Sequence, residues 1–546
     1  MSTAEGKDGS GGLDFEIAPE ERTPLVEKLL RVIVELKQEN RALRDEMNQL
    51  KGQTRRPQIR PSTLHQERDP QAGGKTGKRR KRKGKRPGSA KRHKTRELRI
   101  DETIPLVPDD LPPGAVLESY QDFVVQDLLF GSHNIKYRRA RFWLPDGTYL
   151  TAPLPGTVRG HFGSRLRCYV LHQHHQNHVT QPLIRQQLLD VGVDISVGEI
   201  NEMLLTGHEV FHEEKDELLP AALEVSAYLN VDDTGARHQG RNGYCTHIGN
   251  EFFASFTSTP SKSRINFLRL LQAPRGDHVL NGDALFAMEC SGLSQDLLQY
   301  MAEVLAEGPR VFSGVPAWEQ WLAGTPITTK DHRRIVTEAV LWASLMYHDT
   351  IMHQILISDD APQFKVLGLM NALCWVHAER GIDRLLPVSD AQRRAQEQLQ
   401  DEVWQLYQQL KAYRAAPGAR QSGRLRREFE RIFTQTTCFP ELDVILGRLH
   451  AKQEHLLLVL DRPEIPLHNN LSENDIRDYV KKRRISAGTR SDLGRRCRDT
   501  FLSLKKTCRK LGVSFWEYLQ DRLLGRGVIP PLSDLIRRAA LSATGP

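Results

Sequence analysis

The sequence has no long apolar segment. No run among its 546 residues reaches about 18 consecutive apolar residues, the least expected of a membrane-spanning helix. The first ten residues, MSTAEGKDGS, also lack the apolar centre of a secretory signal. We therefore expect neither membrane insertion nor secretion.

Cysteine is scarce and scattered. The seven cysteines form no C-x-x-C pair, which argues against a disulfide scaffold and a four-cysteine zinc site and is typical of a reducing compartment. With 39% apolar and 27% charged residues, most of the chain can fold around cores, and its length suits about three or four domains. We expect a cytoplasmic protein.

Acidic residues are absent from one short tract. Residues 75–96 contain thirteen Lys or Arg and no acid, while the rest of the chain has 64 basic and 68 acidic residues. The net charge of +9 therefore comes from this tract. Such a local excess predicts an arm that binds a polyanion without sequence preference, although a solvated linker has the same composition.

The N-terminal region has the pattern of a coiled coil. After a leader at 1–22 that we expect to be disordered, residues 23–51 form four heptads in which Asn40 is the one polar core position. A single core Asn favours a defined parallel dimer. The alternative is an amphipathic helix packed on its own chain. Residues 52–100, rich in Pro, Gly, Lys and Arg, are predicted to be a disordered basic linker.

Residues 101–220 are predicted to form a module that contains a DNA-binding helix-turn-helix unit. Short strands are expected at 136–144 and 148–152, and two helices at 180–206 are separated by a Gly turn and an S-x-x-E capping box. This order is typical of a helix-turn-helix unit, which any two packed helices can imitate. The histidine-rich stretch at 172–178 fits a polar helix face better than a metal site.

Two predicted strands end in paired carboxylates. Val225–Asp232 ends in Asp232 with Asp233 next to it, and Ile355–Ser358 is followed by Asp359 and Asp360. Acids at the ends of neighbouring strands meet at one sheet edge, where they can share divalent cations. Each pair could instead serve in a turn or as a helix cap.

A third acid, Glu473, lies at the start of a predicted helix. Asn470 and Glu473 have the spacing of a capping-box pair, which is the structural alternative to a metal ligand. A basic segment follows at once, and cations beside an acid suit metal-dependent phosphodiester chemistry. The candidate phosphate-binding residues there are Arg477, Lys481, Lys482, Arg483 and Arg484.

Three blocks of the sequence together carry a family resemblance. They are LNVDDTGARHQGRNGYCTHIGNEFFASF, ILISDDAPQF with LCWVHAER, and HNNLSENDIR with KKRRISAGTRS. With the zipper and basic stretch before them, they resemble the IS66-type bacterial insertion-sequence transposases, a DDE group with a ribonuclease-H-like core. The resemblance covers about 120–525 and implies that Asp232, Asp359 and Glu473 are the catalytic acids and hold two Mg²⁺ ions, for which Mn²⁺ can substitute.

The resemblance also implies a domain order. It gives an α/β ribonuclease-H-like catalytic domain at 221–525 with helical insertions at 275–350 and 390–460, and a tail at 526–546. The sequence departs from relatives that have a cysteine-rich zinc module, since 101–167 contain no cysteine. Cys374 and His377 match the family's C-W-x-H-x-x-R, where helix packing is a better account of the pair than half a metal site.

The function implied is that of a DNA transposase that binds the terminal inverted repeats of its element and cleaves and transfers strands. Its partners would be double-stranded DNA, a second or further copy through the coiled coil, and small accessory proteins. Besides the acids, the DNA contacts expected in the basic arm are Lys78, Arg79, Arg80, Lys81, Arg82 and Lys83. The rival hypothesis is a non-catalytic DNA-binding protein derived from a transposase.

Overall fold

The computed structural model describes Val32 and residues 100–106, 130–155, 160–272, 274–350 and 353–543. Val32 is helical and exposed. The rest of the predicted zipper lies outside the described residues, as do the leader and all but Ile100 of the basic linker. Every helix and strand named below belongs to one compact unit, whose described parts fall within Tyr137–Asp190 and Asp194–Pro546. A second unit comprises Arg60–Lys136 and Val191–Val193, and its described residues contain no helix or strand.

Six elements precede the central sheet. They are β1 (Arg141–Trp143), β2 (Tyr149–Thr151), α1 (Ser164–His175), α2 (Gln181–Asp190), α3 (Val197–Leu205) and α4 (Glu209–Val225). The strands β1 and β2 pair antiparallel and are shorter than predicted. The predicted capping box of α3 is confirmed: the backbone N–H of Glu199 donates to Ser196 Oγ at 3.1 Å, and the Glu199 side chain accepts from the Ser196 N–H.

A long hairpin opens the central sheet. Strands β3 (Tyr228–His238) and β4 (Arg241–Gly249) are joined by a two-residue turn, Gln239-Gly240, in which both φ angles are positive, a geometry that matches the twist of a hairpin. The prediction that this strand ends at Asp232 is therefore wrong, because pairing with β4 carries it on to His238. Strand β5 (Ala254–Thr259) and helix α5 (Arg264–Gln272) follow.

The first insertion is mainly helical, as predicted, with one small sheet. Its elements are β6 (His278–Leu280), α6 (Gly282–Cys290), α7 (Gln295–Ala306), β7 (Arg310–Phe312), α8 (Gly314–Ala323) and α9 (Lys330–Tyr347). Strands β6 and β7 pair antiparallel. Helix α9 is buried along much of its length and contacts α5, α6 and β6, so it ties the insertion to the core.

Strands β8 (Ile355–Ser358) and β9 (Asn371–Leu373) complete the sheet, whose order is β5-β4-β3-β8-β9. The pairs β3–β8 and β8–β9 are parallel, and the other two are antiparallel. The short β8 matches its predicted bounds. This central mixed sheet with many helices is compatible with a ribonuclease-H-like core.

The second insertion is helical, as predicted. Helix α10 (Trp375–Asp383) leads into α11 (Asp390–Ala415), α12 (Ala419–Phe433), α13 (Pro440–His450) and the short α14 (Gln453–Leu456). Ile355 and Ile357 of β8 share one hydrophobic core with residues of α11, α12 and α13. This insertion therefore packs directly on the sheet.

Four helices end the chain: α15 (Asn470–Ser486), α16 (Asp492–Lys510), α17 (Phe515–Leu524) and α18 (Leu532–Ala543). Ile476 and Tyr479 of α15 and Leu502 of α16 pack on Cys245 of β4 and Phe256 of β5. The expected tail at 526–546 contains α18, which packs on α4. Helix α4 in turn runs across the boundary expected at 220/221. Among the described residues no helix has the length and hydrophobicity to cross a membrane.

Candidate active site

Two of the predicted acids lie side by side at the centre of the sheet. In the parallel pairing of β3 with β8, Asn230 is the partner of Ile357, and Asp232 and Asp359 each follow two residues later. The parallel ladder stops there, while β3 continues beside β4. Burial raises the pKa of Asp232 to about 7, and the negative charge of Asp359 adds to that rise. The two carboxylates are therefore close enough to repel each other.

The third acid reaches the same place from α15. The charge of Glu473 is another cause of the raised pKa of Asp232. Burial also raises the pKa of Glu473, against the opposing charge of Arg380. One of its carboxylate oxygens, Oε1, is buried without a hydrogen bond. Glu473 is therefore close enough to Asp232 for its charge to affect the pKa of Asp232, and its Oε1 makes no hydrogen bond.

Asn469 attaches the start of α15 to the strand that carries Asp232. Its side-chain Nδ2 donates to the carbonyl oxygen of Val231 at 2.8 Å, and its Oδ1 accepts from Asn230 Nδ2 at 2.8 Å. Both asparagines are fully buried. Asn469, rather than Asn470, is the N-cap residue, and its side chain makes no capping hydrogen bond. The capping-box alternative for Glu473 does not describe this helix start.

The block LCWVHAER packs against Glu473. His377 Nε2 lies 3.7 Å from Glu473 Oε1, and an Arg380 nitrogen lies 3.8 Å from Oε2. Burial and the neighbouring Arg380 charge lower the pKa of His377 to about 4, so the ring is neutral near pH 7. Cys374 is buried and its sulfur accepts the backbone N–H of Asn469 at 3.2 Å. The pair Cys374 and His377 thus serves packing around Glu473.

Asp233 has partners of its own beside Asp232. Its carboxylate accepts from Thr246 Oγ1 at 2.5 Å and from Gln363 Nε2 at 2.8 Å. Thr246 lies opposite it on β4, and Gln363 lies in the turn after β8. The Asp233 carboxylate therefore links two parts of the sheet.

Asp360 is likewise held by other groups. It forms ion pairs with Lys365, at 2.9 Å, and with Lys452. Burial would raise its pKa, but hydrogen bonds and charge from the two lysines outweigh burial and lower it. In each aspartate pair, then, the second member is committed to neighbours while the first faces the other acids.

Three carboxylates in one place match the ligand chemistry of Mg²⁺ and Mn²⁺. The unbonded Oε1 of Glu473 and the raised pKa of Asp232 are features that a bound divalent cation would relieve. Within the described part of the chain, however, no group of three or more His, Cys, Asp or Glu residues is arranged closely enough to form a metal-ligand set. The carboxylates of Asp232, Asp359 and Glu473 are of the right chemical type for a divalent metal. They lie near one another, but their oxygens are not arranged around one common metal position.

The predicted basic residues of α15 differ in how far their side chains are exposed. Lys481 and Arg484 are exposed. Arg477 is half-buried and donates to Asn474, and Arg483 donates to the carbonyl oxygen of Gly235. The candidates in the basic arm, from Lys78 to Lys83, lie outside the described residues.

Lys482 does not fit the expectation of a phosphate contact. Its side chain is only 6% exposed, and Nζ lies 3.0 Å from His174 Nε2 and donates to the His174 carbonyl oxygen at 2.8 Å. Burial, followed by the charges of Arg498 and Lys505, lowers the pKa of Lys482 to about 7. This lysine is a buried link between α15 and α1, a role that its basic neighbours in the sequence conceal.

The block SAGTR after α15 is attached to the end of the β3–β4 hairpin. Thr489 exchanges two backbone hydrogen bonds with this hairpin, donating to Arg237 and accepting from Gln239. A Cβ atom on Gly488 would lie 2.4 Å from the Arg237 carbonyl oxygen, so only glycine allows this approach. The basic segment is thus fixed to the strand that carries Asp232.

Several positioning residues could not be identified from the sequence. Asn230, Asn469 and Lys452 act through partners far along the chain, and a single sequence contains no signal for such pairs. His247 is opposite Asp232 on β4; its Nδ1 lies 2.6 Å from Ser472 Oγ and its Nε2 lies 3.2 Å from an Asp475 carboxylate oxygen. The Asn-rich block HNNLSEN was the one available pointer to the start of α15.

The mixed sheet, with Asp232 on β3, Asp359 directly after the adjacent parallel strand β8, and Glu473 on a following helix, is compatible with a ribonuclease-H-like core. A family model described as "Transposase IS66 family" matches residues 347–496, which include Asp359 and Glu473. The protein y4jO of Sinorhizobium fredii (strain NBRC 101917 / NGR234), described as uncharacterized, is 42% identical over 326 residues, covering 59% of this chain and 100% of the relative. The chain belongs to the IS66 transposase family.

Proposed function

We propose that this protein is an active DNA transposase, which binds the terminal inverted repeats of its element and catalyses metal-dependent strand cleavage and strand transfer. The observation that carries the proposal is the electrostatic coupling of Asp232 to Asp359 and Glu473, three acids from β3, the end of β8 and the start of α15. Family membership supports the same function.

In this proposal Asp232, Asp359 and Glu473 are the metal ligands and catalytic acids. Two Mg²⁺ ions bound there would activate the attacking oxygen and stabilise the leaving oxygen of the phosphodiester. Asn469 holds Glu473 beside β3, and the guanidinium of Arg380 favours the ionised form of Glu473. Because the pKa of Asp232 is about 7, this carboxylate gives up a proton when a cation binds near neutral pH.

The DNA would be held by cations on both sides of the acids. On α15 we assign phosphate contacts to Arg477, Lys481 and Arg484, with Arg483 fixing the helix to β3, and we leave out the buried Lys482. The arm at 75–96 would supply sequence-independent affinity. We further propose that 101–220 binds the element ends through its helix-turn-helix at 180–206 and that 23–51 pairs two or more copies at the bacterial nucleoid, with accessory proteins of the element as further partners.

The test is a set of carboxamide substitutions in the full chain. Asp232→Asn, Asp359→Asn and Glu473→Gln keep size but remove the charge that a metal requires, so each should abolish Mg²⁺-dependent cleavage of a duplex carrying the inverted repeats that flank the gene. Binding of the same duplex should persist in each variant. Cleavage is measured on gels and binding by fluorescence anisotropy.

Asp233→Asn and Asp360→Asn are the matched controls, because their carboxylates bond Thr246, Gln363, Lys365 and Lys452 rather than the other acids. They should slow cleavage less than the neighbouring substitutions do. If Glu473→Gln cleaves normally, the third acid lies elsewhere. If the wild type binds the ends but does not cleave them with Mg²⁺ or Mn²⁺, the protein is a non-catalytic DNA-binding member of the family.

A further inference from the structure

A pocket of about 780 Å³ opens directly beside the candidate acids. Asp359 and His377 line one end of it, so the pocket and the acid site share a wall. The rest is built by α10, by the loop at 384–388 that follows it, and by α13 of the second insertion. Its size is that of a site for a small organic group.

The walls of this pocket are mainly apolar. Ala378 and Gly381 of α10 face Ile445 of α13, and a Cβ atom on Gly381 would meet Ile445 at 3.9 Å as its one neighbour within 4 Å. Leucines and Val388 continue the apolar lining, and Val388 is 90% exposed at its edge. A flat apolar group can be enclosed here without leaving buried polar atoms unsatisfied.

Cations also line the pocket. Arg384 and Arg448 are exposed, and among the described residues neither forms an ion pair within 4.0 Å. Lys452 is present but is paired with Asp360, and Glu441 is an acid on the same wall. The two unneutralised guanidinium groups suit an anion carried by the apolar group that enters.

We propose that the pocket binds one unstacked nucleobase of the DNA strand, next to the phosphate that is cleaved at Asp232, Asp359 and Glu473. This inference rests on the proposed function, since the acids must hold DNA for the base to be near. The base face is the apolar part of a nucleotide, and it becomes available only when the base leaves the helical stack. Arg384 and Arg448 would bind the flanking phosphates.

The second insertion would then help to position the DNA for cleavage. Its helix α13 provides the wall opposite α10, and without it the pocket would be open to solvent on that side. Holding a base outside the duplex keeps the adjacent phosphate from sliding past the acids. The pocket therefore positions the scissile phosphate.

The experiment uses the full chain and a duplex carrying the inverted repeat that flanks the gene, with 2-aminopurine at the nucleotide on either side of the cleaved phosphate. Fluorescence of this base analogue rises when it leaves the stack. We expect a rise at one of the two positions on binding of the wild type without Mg²⁺. Ile445→Trp, which fills the pocket, should lose the rise and slow cleavage about tenfold.

Val444→Trp is the matched control, because the neighbouring Val444 on α13 is 54% exposed and does not line the pocket. It should keep both the rise and the cleavage rate. Gly381→Leu fills the pocket from α10 and replaces Ile445→Trp if thermal melting shows that variant to be unfolded.

The outcomes separate the two proposals. Cleavage by the wild type with no fluorescence rise at either position overturns the base pocket and leaves the transposase function intact. An equal loss in Val444→Trp, or an unchanged rise in both pocket-filling variants, also overturns the pocket. The third outcome is that the wild type raises the 2-aminopurine fluorescence, the pocket-filling variants do not, and the wild type cleaves no DNA. That outcome supports the pocket and overturns the proposed function.

Discussion

Adjacent residues of the same type have different surroundings in this protein. Asp232 and Asp233 are identical in chemistry, and the sequence alone leaves open which of them faces the other acids. The difference comes from Thr246 and Gln363, which bind Asp233 from elements that only the fold brings together. Lysines distinguish Asp360 from Asp359 in the same way. The position of the acids could be predicted within one residue, but their individual environments could not.

Lys482 provides a test at the scale of one residue. Because its folded pKa is about 7, the unfolded chain binds more protons than the folded chain between pH 7 and the ordinary lysine pKa of about 10.4. The stability of the wild type relative to Lys482→Met should therefore rise across this window, by about 4 kcal/mol. Urea unfolding at a series of pH values measures this difference.

Lys481→Met is the matched control for that prediction, because Lys481 is the preceding residue and its side chain is 58% exposed. Its stability relative to the wild type should stay constant over the same pH range. A constant difference for Lys482→Met as well would contradict the buried position of this amine beside His174, Arg498 and Lys505.

At the scale of elements, local sequence patterns predicted most helices and missed how the strands continue. The capping box opened α3 as expected, because caps are local. The position at which β3 ends depends on its pairing with β4, which the local sequence does not reveal. For this reason the strand was predicted to end at Asp232, although it continues to His238. The acids lie where β3 loses its parallel neighbour and keeps its antiparallel one.

The start of α15 gives a prediction at this scale. Asn469→Ala leaves the side chain of Asn230 and the carbonyl of Val231 without their partner, which should lower the free energy of unfolding by about 1–3 kcal/mol. Glu473 would then be held less firmly, and cleavage should fall even at temperatures where the variant is folded. Denaturant titration and single-turnover cleavage measure the two effects.

Asn470→Ala tests whether the effect belongs to this asparagine. Asn470 is the next residue, it begins α15, and its buried Oδ1 has no hydrogen bond. Its replacement should cost little stability and little activity. Equal losses in both variants would mean that the helix start, rather than the bonds of Asn469 to β3, is what the substitutions disturb.

At the scale of the whole molecule, charge is distributed unevenly along the chain. The thirteen cations at 75–96 are predicted from composition to contact phosphates. Deleting them removes no residue of the described helices and strands. Deleting 75–96 should weaken binding to arbitrary duplex DNA and flatten the dependence of affinity on salt, because fewer counterions are released. Anisotropy titrations between low and moderate salt measure the slope, and an unchanged slope would mean that the arm makes no phosphate contacts.

The order of blocks along the chain allowed the family and the helical insertions to be predicted. The pocket could not be, because its two walls come from α10 and α13, and no pattern within either helix indicates a cavity between them. The continuation of the core past 525 was also missed: α18 has an amphipathic sequence whose partner, α4, lies more than 300 residues earlier.

The contact between α4 and α18 has a consequence for folding during synthesis. Glu214 of α4 binds Arg522, at 2.8 Å, and the backbone N–H of Leu532, at 2.9 Å, so a helix that precedes the central sheet packs against the final segment of the chain. Nearly the entire polypeptide must leave the ribosome before α18 can pack on α4. Until then the apolar face of α4 is exposed to solvent. A transcript cut short near its end would therefore yield a chain that retains every candidate catalytic acid but lacks the helix that packs on α4.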